Sequence, residues 1–294
     1  DYYKLFIYGM KQLFEHKPFF TLVVLVKIIS LGFFNSELSS VLFQPFLKVF
    51  IGGEINPWQY YFTNNLIQNA FPYHGLMLAL HVLPALVNEF LVSDVFLSSL
   101  IFKLPLFLSD LFLFSTIVKI FPSARKEVMI FYFLNPIVFY AIYIHSQLDI
   151  IPTALLVYSV YALINERVKL SSIMLGFALA TKFHVLVVIP LLTMFVFRKH
   201  SLRQAALYLT IPFMVLLLFD LPFLFSEGFL QMVIYNPKQS LLFDTYYEVG
   251  SLRILLPILS IVIVYFHFFI QRKVNRDLLN FYIAALYILI ILSI

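Results

Sequence analysis

Ten apolar runs, separated by short polar segments, constrain the fold of this chain more than any other feature. They are Phe19–Phe34, Phe71–Phe90, Val95–Ile120, Val128–Ile144, Ile150–Ile164, Leu170–Ala180, Phe183–Phe197, Ala205–Phe225, Leu252–Ile270 and Leu278–Ile294. A helix needs about 20 apolar residues to cross a bilayer, and backbone groups in lipid must bond within their own segment. The short alternating segments of a membrane barrel are missing from the sequence. The runs therefore predict an all-α fold, a polytopic membrane helix bundle.

The composition agrees with a lipid environment. Only 12% of the 294 residues are charged and 62% are hydrophobic, whereas soluble domains have about 25% charged and about 45–50% apolar residues. This excludes a disordered chain, a nucleic-acid-binding domain and a soluble enzyme of ordinary composition. The sequence contains no Cys, which excludes disulfides and thiolate metal sites.

Basic residues set the predicted orientation of the helices. They form five clusters between the runs: Lys4/Lys11/Lys17, Lys119/Arg125/Lys126, Arg167/Lys169, Arg198/Lys199/Arg203 and Arg272/Lys273/Arg276. Because Lys and Arg are enriched in cytoplasmic loops, we place these clusters and the N-terminus in the cytoplasm. This predicts about nine spanning helices and one re-entrant helix, Phe71–Phe90, that begins and ends outside. In the alternative, Phe71–Phe90 spans the membrane and Arg125 and Lys126 lie outside.

Two long external segments follow from this topology, residues 35–94 and 225–250. The first begins with Asn35–Ile51, whose apolar residues recur at helical spacing. Such an amphipathic helix is typical of the membrane interface. Trp58 is expected in a turn at the same interface, where Trp is enriched.

We treat residues 1–294 as a single transmembrane domain, with a core at 1–203 and C-terminal helices at 204–294. The sequence begins at Asp1 rather than Met and ends within an apolar run. We therefore expect a partial chain, and we expect no cleavable signal peptide at its start.

Polar side chains at membrane depth are costly, so each needs its own explanation. Lys103 and Asp110 lie two turns apart on one helix face. Either they form a structural ion pair or pair with neighbouring helices, or Lys103 faces an anion. Lys182 interrupts a nearly continuous apolar stretch, which suits two short helices joined there. Its ammonium suits a phosphate, and the alternative is a lysine that extends to the interface.

Two further groups are candidates for chemistry on the external side. The loop His145–Asp149 is short and polar and is held close to the membrane by apolar helices, so it suits a sugar, a phosphate or a metal; the alternative is an ordinary solvated loop. Glu37 follows the first span and suits a general base; the alternative is the solvated face of an amphipathic helix. Phosphate-binding Gly loops, dinucleotide fingerprints, zinc-binding His pairs and nucleophile elbows are missing from the sequence.

Taken together, the order of these motifs resembles the GT-C superfamily of multi-span glycosyltransferases. The similarity covers roughly Lys17 to Arg203. Its stretches are Phe33–Glu37 with the acid after the first span, Phe71–Leu76 for a Tyr-Pro-Pro-Leu segment, Lys103-Leu104-Pro105 with Asp110, Asn135-Pro136 with His145–Asp149, and Ala180–Phe183 for a Thr-Lys turn. The chain departs from the family pattern at Glu37, where Asp is usual, and at His74-Gly75, which replace the second Pro.

The resemblance implies an inverting transferase that moves a sugar from a polyprenyl-phosphate donor, such as one carrying mannose or glucose, to a glycan or glycolipid hydroxyl outside the membrane. It implies Glu37 and Asp149 as catalytic residues, with Glu37 the base. Lys182, His184 and Lys103 would bind the donor phosphate, and His145, Gln147, Tyr73 and His74 the sugar or acceptor. We expect no cofactor and favour metal independence, without excluding a divalent cation.

Two other functions stay open at this point. One is a transporter or flippase of lipid-linked sugars, although transporters often have two symmetric halves and this sequence shows no such symmetry. The other is a non-catalytic membrane assembly subunit. The residue usage favours a protein of the bacterial plasma membrane. We expect membrane lipids, but no nucleic acid, among its partners.

Overall fold

A computed structural model describes residues 17–237, 244–271 and 275–293 of the protein. Over these residues the chain is mostly helical, which confirms the all-α prediction. The 15 α-helices of the described residues are α1 (Lys17–Phe33), α2 (Gln44–Ile51), α3 (Pro57–Thr63), α4 (Gly75–Leu91), α5 (Val95–Phe102), α6 (Leu104–Ile120), α7 (Arg125–Val128), α8 (Pro136–Phe139), α9 (Ile150–Ile164), α10 (Val168–Leu179), α11 (Ile189–Lys199), α12 (Leu202–Asp220), α13 (Glu227–Phe229), α14 (Leu256–Ile270) and α15 (Arg276–Ser293). Four predicted cytoplasmic residues, Lys4, Lys11, Arg272 and Lys273, lie outside the described residues, as do residues 238–243 of the second external segment.

Short helical turns of other types extend these helices. Wider π turns cover Leu38–Phe43, Met129–Phe133, Tyr140–Ile144 and Leu230–Ile234, and tighter 3₁₀ turns cover Pro122–Ala124 and Phe183–Val188. At Asn135-Pro136 the chain bends, as the proline predicts, because proline cannot donate the helix hydrogen bond. Asn135 caps the new helix by accepting the N–H groups of Ile137 and Val138.

One helix in the described part of the chain, α12, is long and apolar enough to cross a membrane by itself. Three pairs of helical segments reach the same standard if each bent pair counts as one span, which brings the total to at most four. These pairs are Pro18–Phe33 with Leu38–Ile51, bent by 54°, Val95–Phe102 with Leu104–Ile120, bent by 44°, and Pro122–Phe133 with Pro136–Ile144, bent by 52°.

The chain groups into two compact units. The first unit comprises Asp1–Pro57 and Leu78–Tyr158, and the second comprises Trp58–Met77 and Ser159–Ile294. The predicted core of residues 1–203 therefore contributes to both units. The description of residues 1–294 as a single domain stays a prediction.

The first unit has an aromatic core around α1, α6 and the π turn that follows α7. Phe114, Val128, Met129 and Phe133 are buried together. The Phe20 ring of α1 stacks on the rings of Phe114 and Phe133, at 6.0 and 5.6 Å between centroids. This core also surrounds a buried ion pair between Lys27 and Asp110.

The second unit packs α10 closely against α12. Gly176 makes this contact possible, since a Cβ atom there would lie 2.9 Å from the Pro212 Cα. The hydroxyls of Ser171 and Tyr208 join the same helices by a 2.8 Å hydrogen bond. Trp58 is the largest fully buried residue of this unit.

The interfacial position predicted for Trp58 differs from what the structure shows. Trp58 lies in α3 with 0% exposure, and its indole N–H donates to the Phe71 carbonyl at 3.0 Å. Its ring packs against Phe223 and Phe229. A Trp that finds a hydrogen-bond acceptor inside the protein needs no aqueous interface.

A β-hairpin in the second unit was not predicted from the sequence. It consists of β1 (Tyr246–Val249) and β2 (Leu252–Leu255), paired antiparallel with Val249 opposite Leu252. Gly250 occupies the two-residue turn with φ of +64°, a conformation that glycine adopts without steric cost. The predicted apolar run from Leu252 therefore begins as a strand, and its helix, α14, starts at Leu256.

Candidate functional site

Backbone hydrogen bonds join the Thr-Lys turn to the start of α4. The His74 N–H donates to the Thr181 carbonyl at 3.3 Å, and the Leu76 N–H donates to the Ala180 carbonyl at 3.2 Å. The turn itself lies where α10 ends at Leu179, before the 3₁₀ turn Phe183–Val188 begins. This confirms the prediction of two short helices joined at Lys182.

Side chains of the two joined segments stack in pairs. The Lys182 ammonium lies 5.3 Å from the centroid of the Tyr73 ring, within the range of a cation–π interaction. The Phe183 ring stacks on the His74 imidazole at 5.7 Å between centroids, with 21° between their planes. Tyr73 and His74 are buried, whereas Lys182 and Phe183 are partly exposed.

Asp220, the last residue of α12, completes this group. Its Oδ2 lies 2.6 Å from the Nδ1 of His74, and its Oδ1 accepts the Gly75 N–H at 2.8 Å. Both side chains are 1% exposed. We call Tyr73, His74, Lys182, Phe183 and Asp220 the His74 cluster.

Close approach of α4 to α12 depends on Gly75. A Cβ atom at this position would lie 2.3 Å from the Phe219 carbonyl oxygen. Because Gly75 has no side chain, its N–H at the N-terminus of α4 can point at the Asp220 carboxylate. A negative charge at a helix N-terminus is favourable.

His184 was predicted to bind the donor phosphate with Lys182. It lies in the 3₁₀ turn that follows Lys182, and its ring meets the Tyr287 ring edge-on, at 6.3 Å between centroids. Its described ring contact is thus with α15, while its neighbour Phe183 contacts His74.

Lys103 and Asp110 do not pair with each other. The Lys103 ammonium is buried and donates to the Phe34 carbonyl at the end of α1. Asp110 forms a 2.6 Å ion pair with Lys27 of α1 and accepts the hydroxyls of Tyr132 and Tyr143 at 2.7 and 2.5 Å. For Asp110, the structural interpretation as a partner of neighbouring helices is therefore correct.

The loop before α9 brings two predicted residues together. Gln147 donates from its Nε2 to the Asp149 Oδ2 at 2.9 Å, and the Asp149 carbonyl accepts the Thr153 hydroxyl at 2.7 Å. His145 is exposed and its ring stacks on Tyr140. The loop is thus a structured turn that presents an amide and a carboxylate side by side.

Glu37 is exposed and directly precedes the π turn Leu38–Phe43. Near it in the sequence, Asn35 and Gln44 line a polar cavity of about 260 Å³ together with Ser93, Asp94, Ser98 and Ser99. Hydroxyl, amide and carboxylate groups of this kind can bind sugar hydroxyls. Glu37 itself is not among the residues that line the cavity.

The nine predicted site residues divide between the two units. Glu37, Lys103, His145, Gln147 and Asp149 belong to the first, and Tyr73, His74, Lys182 and His184 to the second. Asp220 was missed as a site residue, because it belongs to none of the motifs from which the site was predicted. Its signal was a lone carboxylate inside the apolar run Ala205–Phe225.

Within residues 17–237, 244–271 and 275–293, three or more His, Asp or Glu side chains nowhere form a group that could hold a metal ion. Metal independence stays a prediction. Comparison with known proteins finds no matching family model, no similar curated protein and no similar solved structure. The resemblance to the GT-C superfamily therefore depends on the sequence motifs alone.

Proposed function

We propose that the chain is an integral-membrane glycosyltransferase that moves a sugar from a polyprenyl-phosphate donor to an acceptor hydroxyl on the external face, with inversion. The observation that carries this proposal is the His74 cluster. Tyr73, His74 and Lys182 were predicted as substrate-binding residues from two motifs about a hundred residues apart, and they lie in one group.

The proposal includes about nine spanning helices in a bacterial plasma membrane. Support comes from α12, from the three bent pairs and from apolar side chains that the fold leaves exposed. On α12 these include Met214 and Leu218, which are 67% and 71% exposed. Exposed apolar surface on this scale needs a partner, and lipid is the one that fits helices of this length and composition.

The proposed reaction is a displacement at the anomeric carbon. The acceptor oxygen forms a bond to this carbon, the bond to the phosphate oxygen breaks, and the electron pair leaves with the lipid phosphate, which changes from a singly charged diester to a doubly charged monoester. Stabilising such developing charge with fixed groups is commonly the largest catalytic contribution. Lys182 would supply the positive charge.

The resemblance also assigns roles to the remaining predicted residues. The resemblance assigns the acceptor's proton to Glu37, and assigns Asp149, Gln147 and His145 to the sugar or acceptor. Lys103 and His184 follow Lys182 as proposed phosphate ligands. For the loop His145–Asp149, the sugar-binding role is supported by the Gln147 amide and the Asp149 carboxylate, which lie side by side.

Release of polyprenyl phosphate is the measurement that tests the proposal. Purified protein comprising residues 1–294, in lipid nanodiscs, is incubated with radiolabelled polyprenyl-phosphate mannose or glucose and a bacterial envelope extract as acceptor. We expect sugar transfer by the native chain and a large fall in kcat/KM for Lys182→Met. Lys169→Met, an exposed lysine on α10, is the matched control and should behave like the native chain.

Two results would contradict the proposal. The first is no sugar transfer from either donor by folded native chain. The second is equal rates for Lys182→Met and the native chain, which would fit an assembly subunit in which this lysine is dispensable. Movement of intact donor across vesicle membranes, without cleavage, would instead indicate a flippase.

A further inference from the structure

The His74–Asp220 pair has the geometry of a base and the carboxylate that orients it. Asp220 Oδ1 accepts the Gly75 N–H at 2.8 Å and Oδ2 lies 2.6 Å from His74 Nδ1. An ionised carboxylate can only accept hydrogen bonds, so when Asp220 is ionised the hydrogen of its contact with His74 lies on Nδ1. In the neutral imidazole, Nε2 then carries the lone pair.

This Nε2 is the notable atom of the pair. It is buried, and no hydrogen-bond partner for it lies within the described residues. Buried polar atoms in native proteins nearly always have a partner, and an exception deserves an explanation. A substrate hydroxyl is the kind of group that would donate to a nitrogen lone pair.

Asp220 cannot easily turn away from His74. Its carboxylate is 1% exposed and is held by the first N–H of α4, where absence of a Cβ atom at Gly75 lets the two helices meet. The carboxylate therefore selects one tautomer of His74 and also stabilises the imidazolium that forms when Nε2 takes a proton. Other enzymes with a paired His and Asp use the carboxylate in this way.

The surroundings of His74 link it to the proposed phosphate ligand. Phe183 stacks on one face of the imidazole and Phe229 lies edge-on at 6.2 Å, while Lys182, the residue before Phe183, lies on the Tyr73 ring. Phe183 is the partly exposed member of this stack. The residue stacked on His74 is thus the chain neighbour of the proposed phosphate ligand Lys182.

We propose that His74 is the general base of the transfer reaction and that Asp220 is its positioning residue. In this step the acceptor hydroxyl gives its proton to His74 Nε2, its oxygen forms the new bond to the anomeric carbon, and the electron pair of the broken bond leaves on the lipid phosphate. The imidazolium then returns the proton to solvent. This inference rests on the proposed function and replaces Glu37, which is exposed, in the role of base.

The experiment compares transfer rates of four variants in the assay described above. We expect His74→Asn and Asp220→Asn to lower kcat by about 10²- to 10⁴-fold, the usual contribution of a general base, with the donor KM nearly unchanged. Asp220→Glu should recover part of the rate, because it keeps the carboxylate. Glu37→Gln tests the other candidate base, and its kcat should fall less than that of His74→Asn.

Matched controls separate catalysis from folding. His200→Asn removes a histidine that lies 3.3 Å from Glu166 and outside the His74 cluster, and it should keep the native rate. Donor binding and thermal unfolding of each variant show whether a slow variant is folded. If both substitutions at His74 and Asp220 prevent folding, His74→Gln and Asp220→Glu are measured instead.

A spectroscopic readout tests the role of Asp220 directly. In ¹⁵N-histidine-labelled protein, the His74 ring signals should show hydrogen on Nδ1, and Asp220→Asn should move it to Nε2, since an amide can donate to Nδ1. Hydrogen on Nε2 in the native chain would overturn the inference.

Outcomes for the base and for the function are distinguishable. One outcome would overturn only this inference and restore Glu37 as the base: the native chain transfers sugar, His74→Asn keeps the full rate, and Glu37→Gln loses it. No transfer by the native chain would overturn the proposed function, and this inference with it.

Discussion

Lys27 Nζ lies 2.6 Å from Asp110 Oδ2, and both side chains are almost completely buried, at 1% and 0% exposure. The pair joins α1 to α6 across 83 residues of sequence. The Lys27 ammonium also lies 3.5 Å from the centroid of the Phe133 ring, and Asp110 accepts two tyrosine hydroxyls. Charge and hydrogen-bonding capacity are thus satisfied inside the first unit.

Breaking this pair on one side should destabilise the protein strongly. Removing one partner of a buried ion pair costs about 3–5 kcal/mol, because the other charge is left unpaired. We expect Lys27→Met and Asp110→Leu each to lower the unfolding free energy by about that amount, and the double variant to lose less than the sum. Reversible unfolding in detergent would measure all three, and additive losses would show that the two charges do not interact.

Fluorescence of Trp58 should report a buried indole. The chain contains one Trp, it is fully buried, and its N–H is bonded to the Phe71 carbonyl. We expect emission at short wavelength, weak quenching by aqueous acrylamide and a red shift on unfolding. Strong quenching in the folded state would instead support the interfacial position predicted from the sequence.

Gly75→Ala should disturb the His74 cluster without removing any functional group. The added Cβ would lie 2.3 Å from the Phe219 carbonyl oxygen, so α4 and α12 must move apart. Overpacking of this kind costs about 1–3 kcal/mol, and both unfolding free energy and transfer rate should fall. Gly52→Ala is the control, since the atom nearest to its added Cβ, the Lys48 carbonyl oxygen, would be at 3.2 Å, and the loss should be smaller.

Cysteine labelling should establish the orientation of the helices, because the chain has no native Cys. Both Arg125 and His145 are exposed in the structure. We expect a membrane-impermeant thiol reagent to label His145→Cys from outside and Arg125→Cys from the cytoplasm. The reverse pattern would mean that Phe71–Phe90 spans the membrane.

The re-entrant helix has its own labelling test. Gln68 and Ser93 flank α4 and are exposed. If α4 begins and ends on the external side, Cys at both positions should react from outside. Labelling from opposite sides would show that α4 is a spanning helix.

Sequence periodicity predicted where most helices lie, because long apolar runs have few other ways to satisfy their backbone in lipid. It also predicted the break at Lys182, because the apolar stretch around this lysine is too long for one helix and a polar residue interrupts it. It did not predict the hairpin at Tyr246–Leu255, where a two-residue turn around Gly250 overrides the apolar pattern.

Side-chain partners were the part that only the tertiary structure decided. In the sequence, Lys103 was the candidate ion-pair partner of Asp110, yet Asp110 pairs with Lys27 of another helix. His74 was assigned to the acceptor side, but its carboxylate partner Asp220 lies 146 residues away. The physical reason is that hydropathy reports the environment of each segment by itself, whereas pairing depends on which helix faces come together after folding. The sequence alone determined that the chain is apolar and helical, and the fold decided which of its few charges meet.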